Sequence, residues 1–324
     1  MILITIIIPI YNASHTLPKC IDSILSQTLC DWTLFLVDDG SSDESLEIMN
    51  AYKDRDARIK VFHKENEGVS IARQYGLDRV ETPYFIYCDA DDYVEPTYLE
   101  DLFTSITKNN ADLSICAYIE EYEDRLVQMD TPESSVDGLI HNFLNDKVWG
   151  VTWNKLYKTK IVKENNLKFI PHIQMWEDLA FTIDYCLCSS SVSFVHKPLY
   201  HYVKTLNTSI TQNENIAKKK NRVLVIRHFE SSMRERGKIE QFEESLLNVK
   251  YHISYLAINH FVSQERLLYF KTSFPEIFNS LLLFRKHPLV ISIAFLNLER
   301  LFYVGYYARL IKQKLGLWLK KIIK

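Results

Sequence analysis

Residues 2–8 read Ile-Leu-Ile-Thr-Ile-Ile-Ile, an apolar and largely β-branched run that predicts a strand covered on both faces. Apolar residues then recur at helical spacing from Leu17 to Leu25, and a second apolar run covers Thr33–Val37. The same alternation continues, with further strands predicted at Ile59–Phe62, Tyr84–Cys88 and Asp112–Tyr118. Strands that alternate with helices at this spacing predict an α/β domain with a doubly wound, mainly parallel sheet.

Two acidic turns follow two of these strands. They are Asp38-Asp39-Gly40-Ser41-Ser42-Asp43 and Asp89-Ala90-Asp91-Asp92. Ligands of such sheets bind outside the carboxyl ends of the strands, so both turns are predicted to lie at one ligand site. Asp89 and Asp91 can present oxygens to one Mg²⁺ or Mn²⁺ ion, which usually completes its shell with phosphate oxygens and water. The alternative is an Asx-rich turn that caps the next helix, and Ser41 with Glu44 resembles a capping box.

Composition and missing motifs exclude several classes of protein. Of the 324 residues, 47 % are hydrophobic and 24 % charged, which excludes wholesale disorder, a collagen-like fibre and a small disulfide scaffold. The six cysteines show neither CxxC pairs nor zinc spacing, which favours the cytosol. No segment has the length and apolarity of a membrane span. Neither GxGxxG after the first strand nor GxxxxGK[ST] occurs, which argues against a nicotinamide dehydrogenase or a P-loop kinase.

The strand signal disappears from about residue 215, and helix-like segments continue to the end of the chain. We therefore predict a catalytic domain over residues 1–212 and an α-helical extension over residues 213–324.

Four motifs, taken in their order along the chain, resemble those of glycosyltransferase family 2. They are Ile8-Pro9-Ile10-Tyr11-Asn12, the turn after the second strand, Asn66-Glu67-Gly68-Val69-Ser70-Ile71-Ala72-Arg73, and Asp89-Ala90-Asp91-Asp92. The match covers about residues 3–110. It continues more loosely through Trp153-Asn154-Lys155-Leu156-Tyr157, Trp176-Glu177-Asp178 and Leu199-Tyr200-His201-Tyr202. The resemblance implies a GT-A fold, a nucleotide-diphospho-sugar donor, a divalent metal and inversion at the anomeric carbon.

The same resemblance implies that eight residues bind the donor: Pro9, Tyr11, Asn12, Asp39, Arg73, Asp89, Ala90 and Asp91. The first three would line the pocket of the nucleotide base. Asp39 would accept a hydrogen bond from the base, which favours uracil, and Arg73 would lie near the donor phosphates. Asp89 would approach the ribose, and Asp91, with Asp89 beside it, would bind Mn²⁺ or Mg²⁺.

The resemblance also assigns the general base to Asp178 in the Glu177-Asp178 pair. An inverting transfer needs one carboxylate that accepts the proton of the acceptor hydroxyl as its oxygen attacks the anomeric carbon. The alternative is that Asp178 caps the apolar helix starting at Leu179.

Other residues near these motifs are candidates for weaker roles. Trp153, Trp176 and Glu177 are candidate acceptor contacts, because aromatic faces stack on sugar rings, although most aromatic residues belong to the core. His201 could approach the diphosphate or the metal, or be a packed, hydrogen-bonded histidine. Lys155 is left open between a phosphate contact and a surface charge.

The formal net charge of −3 combines two unlike parts. Residues 300–324 carry no acid and seven basic residues, so the rest of the chain carries −10. An apolar stripe runs along this tail from Val304 through Trp318 to Ile322, and most of the basic side chains lie off it. Such a helix can lie on an anionic membrane surface, or it can pack its stripe on the body of the protein.

Together these features predict a metal-dependent, inverting glycosyltransferase. The family resemblance and the basic tail further imply that it would move a sugar from a UDP-sugar to a saccharide or lipid-linked acceptor in bacterial surface polysaccharide synthesis, at the inner face of the cytoplasmic membrane and without nucleic acid. A nucleotidyltransferase is less favoured, because Tyr11-Asn12-Ala13-Ser14-His15 lacks the usual Gly-rich loop with a basic residue. A catalytically silent nucleotide-sugar-binding or scaffold protein is the alternative from another class.

Overall fold

The computed structural model describes residues 1–204, 216–259 and 273–279 of the chain. The strands are β1 Ile4–Ile10, β2 Trp32–Asp38, β3 Ile59–His63, β4 Tyr84–Tyr87, β5 Tyr93–Val94, β6 Leu113–Glu121, β7 Leu126–Met129, β8 Lys155–Lys158 and β9 Val192–Val203. The helices are α1 Leu17–Leu25, α2 Ser45–Lys53, α3 Val69–Leu77, α4 Tyr98–Lys108, α5 Val136–Leu144, α6 Thr159–Asn165, α7 Glu177–Leu187, α8 Ile216–Glu235 and α9 Ile239–Asn259, with a short 3-10 helix at Pro275–Asn279.

The strands form one mixed sheet with the order β3-β2-β1-β4-β8-β6-β9-β5, and β7 pairs with β6. The first four strands pair in parallel, as the alternation of strands and helices predicts. Beyond β4 the sheet is mixed, because β8 runs antiparallel to both β4 and β6 and β5 runs antiparallel to β9. The predicted α/β class is therefore confirmed, and the parallel character belongs mainly to the first half of the sheet.

Burial of β1 explains why its sequence lacks the alternation of a half-exposed strand. Ile4, Ile6, Ile7 and Ile8 are all inaccessible to solvent, since helices cover both faces of the sheet. On one face α1 contributes an apolar side formed by Leu17, Cys20, Ile21 and Ile24. On the other face α3 comes so close that a Cβ on Gly76 would lie 2.5 Å from Ile7 Cγ2.

The predicted capping box at the start of α2 is wrong. Glu44 is the N-cap residue of that helix and its side chain makes no capping bond, whereas Asp43 Oδ1 accepts the N–H of Ser45, the first helical residue, at 3.0 Å. The Ser41 hydroxyl instead accepts a hydrogen bond from the Asn12 N–H, at 3.0 Å. The polar turn after β2 is therefore used to bind the loop after β1, which brings the two loops together at the carboxyl ends of their strands.

The chain divides into two compact units, Met1–Ile239 and Glu240–Lys324. The first contains the whole sheet and also α8, which begins at Ile216. The second contains nearly all of α9 and the 3-10 helix. Within the described residues, no helix is both long and apolar enough to cross a membrane. The predicted basic tail, residues 300–324, lies outside the described residues.

Candidate active site

The carboxyl ends of β1 and β2 form the first part of the candidate site. Asn12 has a left-handed backbone, with φ of 52°, which asparagine tolerates better than most residues. Its Oδ1 accepts the N–H of Ser42 at 2.8 Å, so the two loops bind each other reciprocally. Beside it, Tyr11 is 55 % exposed, and Pro9 is half-buried in β1. The predicted base-pocket residues thus share one edge of the sheet, with an open aromatic ring.

Asp39 lies buried beside them, and its carboxylate is fixed by the loop that precedes α3. Oδ1 accepts from Lys64 Nζ at 2.7 Å and from the Glu67 N–H at 3.1 Å, while Oδ2 accepts from the Gly68 N–H at 2.8 Å. Gly68 has φ of 95°, a conformation that favours glycine. A carboxylate offers about four acceptor positions, and these three contacts leave capacity for a further donor such as a base N–H. The role of Asp39 in base recognition stays a prediction.

Arg73 connects two parts of the chain that lie far apart in sequence. Its guanidinium donates to Asp89 Oδ1 at 2.8 Å and to Glu177 Oε1 at 2.5 Å. The side chain is only 6 % exposed, and the two carboxylates keep the pKa of Arg73 above its ordinary value despite burial. The arginine therefore fixes the acidic turn after β4 against the start of α7.

The acidic turn itself has one buried and two more accessible carboxylates. Asp92 is buried and accepts from the Tyr200 hydroxyl at 2.7 Å and from the Val203 N–H at 2.8 Å, so its role is structural. Asp91 is exposed at the surface of the turn and Asp89 is half-buried. Partial loss of hydration and the adjacent charge of Asp89 raise the pKa of Asp91 to about 6.

The carboxylates of Asp89 and Asp91 are suited to a divalent cation whose coordination shell is completed by other ligands. In the described part of the chain, no three His, Cys, Asp or Glu side chains lie close enough to hold an ion by themselves. Mg²⁺ and Mn²⁺ are commonly bound through one or two carboxylates plus water and phosphate oxygens. A cation beside Asp91 would also offset the repulsion between Asp91 and Asp89 that the raised pKa of Asp91 reflects.

Asp178 lies in the first turn of α7, directly after the arginine-bound Glu177. Its Oδ1 accepts the N–H of Leu179 at 2.7 Å. Burial raises the pKa of Asp178, and the positive charges of Arg73 and Lys155 and the Leu179 N–H oppose this effect. Since α7 begins at Glu177, with Trp176 as its N-cap residue, Asp178 accepts the single N–H of Leu179 from inside the first turn and is not the cap of the helix.

Four carboxylates, those of Asp89, Asp91, Glu177 and Asp178, therefore form one connected site with Arg73. Asp89 and Asp91 occupy the turn after β4, Asp178 lies at the start of α7, and Arg73 bonds to both segments. Burial and mutual repulsion raise the pKa of Glu177 to about 7, against the opposing charge of Arg73. Sugar transfer from a diphosphate needs a carboxylate that accepts a proton and, near it, a site for a metal ion. Asp178 and the acidic turn with Asp89 and Asp91 are suited to these two roles.

The model of the family described as Glycosyl transferase family 2 matches residues 5–169, which include the loops and the acidic turn just described. The chain belongs to glycosyltransferase family 2. The family resemblance predicted from the motifs is thus confirmed.

Relatives of this glycosyltransferase act in bacteria. EpsH of Bacillus subtilis (strain 168), named a glycosyltransferase, is 29 % identical over 254 residues, which cover 75 % of this chain and 72 % of EpsH. The poly(ribitol-phosphate) beta-N-acetylglucosaminyltransferase TarP of Staphylococcus aureus (strain N315) is 29 % identical over 65 % of this chain and 64 % of TarP. The crystal structure of S. aureus TarS residues 1–349 with UDP-GlcNAc superposes with a TM-score of 0.71 at 18 % identity, over 86 % of this chain and 81 % of that 1–349 chain. The fold is accordingly the GT-A fold.

Trp153 is not placed to contact an acceptor. The residue is 3 % exposed, and its ring stacks on Tyr200 at 4.2 Å and on Tyr202 at 5.6 Å between centroids. Tyr200 belongs to the same buried core as Trp153 and Tyr202 packs against that core, so the alternative of a core aromatic is the correct one. Trp176 remains half-buried at the N-cap of α7, with the Arg222 guanidinium 5.5 Å from its ring, and its acceptor role stays a prediction. The acceptor role of Glu177 is disfavoured, since its carboxylate is buried against Arg73.

His201 is a packed histidine. Its ring lies on Tyr93 with 4.2 Å between centroids, and Nε2 is 2.8 Å from Glu95 Oε1. Nδ1 faces Glu121 at 3.4 Å. These contacts account for its position without the diphosphate or the metal, so they support the alternative that the sequence left open.

Sequence reasoning missed the role of Tyr200. Its hydroxyl donates to Asp92 and accepts from the Asp89 N–H at 3.1 Å, so one buried phenol fixes both ends of the acidic turn. The motif Leu199-Tyr200-His201-Tyr202 was part of the resemblance. The sequence alone does not show which of its side chains contacts the aspartates, since this depends on how β9 pairs with β6.

Proposed function

We propose that this glycosyltransferase transfers a sugar from a UDP-sugar, with inversion at the anomeric carbon, to a saccharide or lipid-linked acceptor of a bacterial surface polysaccharide. The observation that carries the proposal is the pair of Arg73 contacts, which join Asp89 of the acidic turn to the helix start that bears Asp178. These contacts support the proposal because one buried arginine joins the turn proposed to hold the diphosphate to the helix that bears the candidate base.

On the donor side, Asp39 would accept a hydrogen bond from the uracil ring, and Tyr11 would lie against its face. Asp89, Ala90 and Asp91 would hold the ribose and diphosphate, with Asp91 and Asp89 holding Mn²⁺ or Mg²⁺. When bound, the ion supplies charge neutralisation for the departing diphosphate. Support for a UDP-sugar also comes from TarS, whose structure contains UDP-GlcNAc.

On the acceptor side, Asp178 would accept the proton of the attacking hydroxyl. The oxygen would form its bond to the anomeric carbon as the bond to the diphosphate breaks on the opposite face. Arg73 and Lys155 favour the ionised form of Asp178, which a base requires. EpsH and TarP are both bacterial proteins, and the name of TarP, a poly(ribitol-phosphate) beta-N-acetylglucosaminyltransferase, supports a polymer as acceptor.

A location at the inner face of the cytoplasmic membrane is part of the proposal. It rests on the sequence of residues 300–324, with its basic residues and apolar stripe.

The test is a panel of UDP-, GDP- and dTDP-sugars scored by thermal stabilisation with and without Mn²⁺. A bound donor raises the apparent stability by mass action, so UDP-sugars with metal should give the largest increase. Stabilisation by GDP- or dTDP-sugars alone would contradict the UDP assignment. Stabilisation without any turnover, with water or saccharides as acceptors, would favour the silent binding protein instead.

A further inference from the structure

Lys155, the first residue of β8, is a buried cation that the proposed mechanism does not use as a ligand. Its side chain is inaccessible to solvent, which contradicts both the surface charge and the phosphate contact considered from sequence. The ammonium donates to Val151 O and Asn154 Oδ1, both at 2.7 Å, and to Trp149 O at 3.3 Å. These three bonds use all three of its donors.

Burial of the Lys155 ammonium costs free energy that a residue needed only for core packing would not incur. Within the described residues, no carboxylate lies within ion-pair distance of the ammonium, and burial lowers the pKa of Lys155 to about 8. Burying a charge costs free energy unless other interactions compensate it, so an apolar side chain would fill the same space with less penalty. The bonds to the loop are therefore the feature that needs explanation.

The acceptors of Lys155 belong to the loop between α5 and β8. The end of this loop is itself anchored to β6, because Asn154 Nδ2 donates to Cys116 O at 2.9 Å and the Cys116 N–H donates to Asn154 O at 3.0 Å. One end of the loop is thus bound to the sheet, and the buried ammonium hydrogen-bonds to the carbonyls of Trp149 and Val151 nearer its middle. The loop is thus a braced segment rather than a free connection.

The braced loop packs closely against α7, the helix that carries Asp178. A Cβ added to Gly150 would lie 2.2 Å from Leu179 Cδ1 and 3.2 Å from Leu179 Cα, so the glycine backbone lies directly against that residue. Leu179 follows Asp178 and donates its N–H to the Asp178 carboxylate. Movement of the loop would therefore move the first turn of α7.

We propose that Lys155 is a positioning residue, which braces residues 149–151 against Leu179 and so holds Asp178 in place relative to the acidic turn. The proposal rests on the proposed role of Asp178 as base. Arg73 fixes the helix start from one side through Glu177, and the Lys155-braced loop fixes it from the other. Because an error of about 1 Å in the position of a reacting group can lower a rate roughly 100-fold, such bracing affects turnover more than donor binding.

The test compares Lys155→Met and Gly150→Ala with the matched control Lys158→Met. Lys158 lies on the same strand but pairs with Asp112 at 3.2 Å, away from the loop. We expect the kcat for hydrolysis of UDP-glucose, UDP-galactose or UDP-GlcNAc, whichever the wild type uses, to fall roughly 10- to 100-fold in the first two variants. Their dissociation constants for UDP with Mn²⁺, measured by calorimetry, should stay within about threefold of the wild type, because the loop packs on Leu179 of α7 while the proposed nucleotide pocket is formed by the loops after β1 and β2.

Hydrogen exchange gives a readout that does not depend on activity. Amides of residues 177–182 should exchange faster in Lys155→Met and Gly150→Ala but not in Lys158→Met. Unchanged exchange, an unchanged kcat in a folded Lys155→Met variant, or an equal loss in the control would overturn the positioning role. If Lys155→Met does not fold, Gly150→Ala carries the same test. A wild type that hydrolyses none of the UDP-sugars would contradict the proposed function, and the exchange pattern would still decide the bracing.

Discussion

Replacement of Arg73 by methionine perturbs the connection on which the site depends. The guanidinium is 6 % exposed and bonds to Glu177, whose side chain is 10 % exposed, and to Asp89, which is 25 % exposed. Methionine retains much of the apolar volume but removes both bonds. The main consequence for stability is that Glu177 stays buried without its cation.

Removing one partner of a buried ion pair typically costs about 3–5 kcal/mol. The pKa of Glu177 is already raised to about 7 in the presence of Arg73, so in the variant this carboxyl should take up a proton. Protonation limits the loss, and we expect the free energy of unfolding to fall by about 3 kcal/mol at pH 7. A domain of this size should then melt roughly 6–12 °C lower.

Thermal and urea unfolding of three variants tests this reasoning. The double variant Arg73→Met/Glu177→Leu should recover most of the lost stability, because neither buried charge remains, yet it should stay inactive. The control is Arg125→Met, since Arg125 is 58 % exposed and its pair with Asp124 should contribute about 0–1 kcal/mol. The reasoning is refuted if Arg73→Met is as stable as the control, or if the double variant is no more stable than Arg73→Met.

Asp178, Asp91 and Lys155 give three further predictions. Asp178→Asn should bind UDP normally by calorimetry but lose roughly 100-fold or more of its turnover, and near-normal turnover would exclude Asp178 as the base. Asp91→Asn should lose the part of UDP stabilisation that depends on Mn²⁺, and a metal response equal to the wild type would show that the ion binds elsewhere. For Lys155 the pKa is about 8 when folded, against 10.5 as its ordinary value, so the unfolded state binds more protons between these values and stability should rise with pH. Relative to Lys155→Met, the wild type should therefore gain about 2 kcal/mol in urea unfolding between pH 7 and pH 9.5, and parallel pH profiles would contradict the burial of a charged Lys155.

Local sequence patterns predicted the first half of the fold well. The run at residues 2–8 became β1, shifted by two residues, because an apolar β-branched segment in a doubly covered sheet has few alternatives. The position of the acidic turn after β4 followed from the general rule that parallel strands end at one edge. Strand β8 was not predicted, since Lys155–Lys158 is too short and too polar to resemble a buried strand.

Residues that depend on distant partners could not be predicted in this way. Lysine is rarely buried, so only the tertiary structure shows that Lys155 bonds to three acceptors in the loop that precedes β8. The bond between Arg73 and Glu177 joins positions 104 residues apart, and no local pattern indicates it. The sequence left Trp153 open between a sugar contact and a core position, because a single sequence does not show whether a tryptophan ring is covered by other side chains.

The central claim is that Asp178 and the acidic turn carry out an inverting transfer from a UDP-sugar. Proton NMR during hydrolysis of an α-linked UDP-sugar with Mn²⁺ follows the first anomer released, before the free sugar equilibrates by mutarotation. An inverting transfer with Asp178 as the base should release the β anomer first, and Asp178→Asn should release neither anomer at a comparable rate. Initial release of the α anomer by the wild type would contradict it.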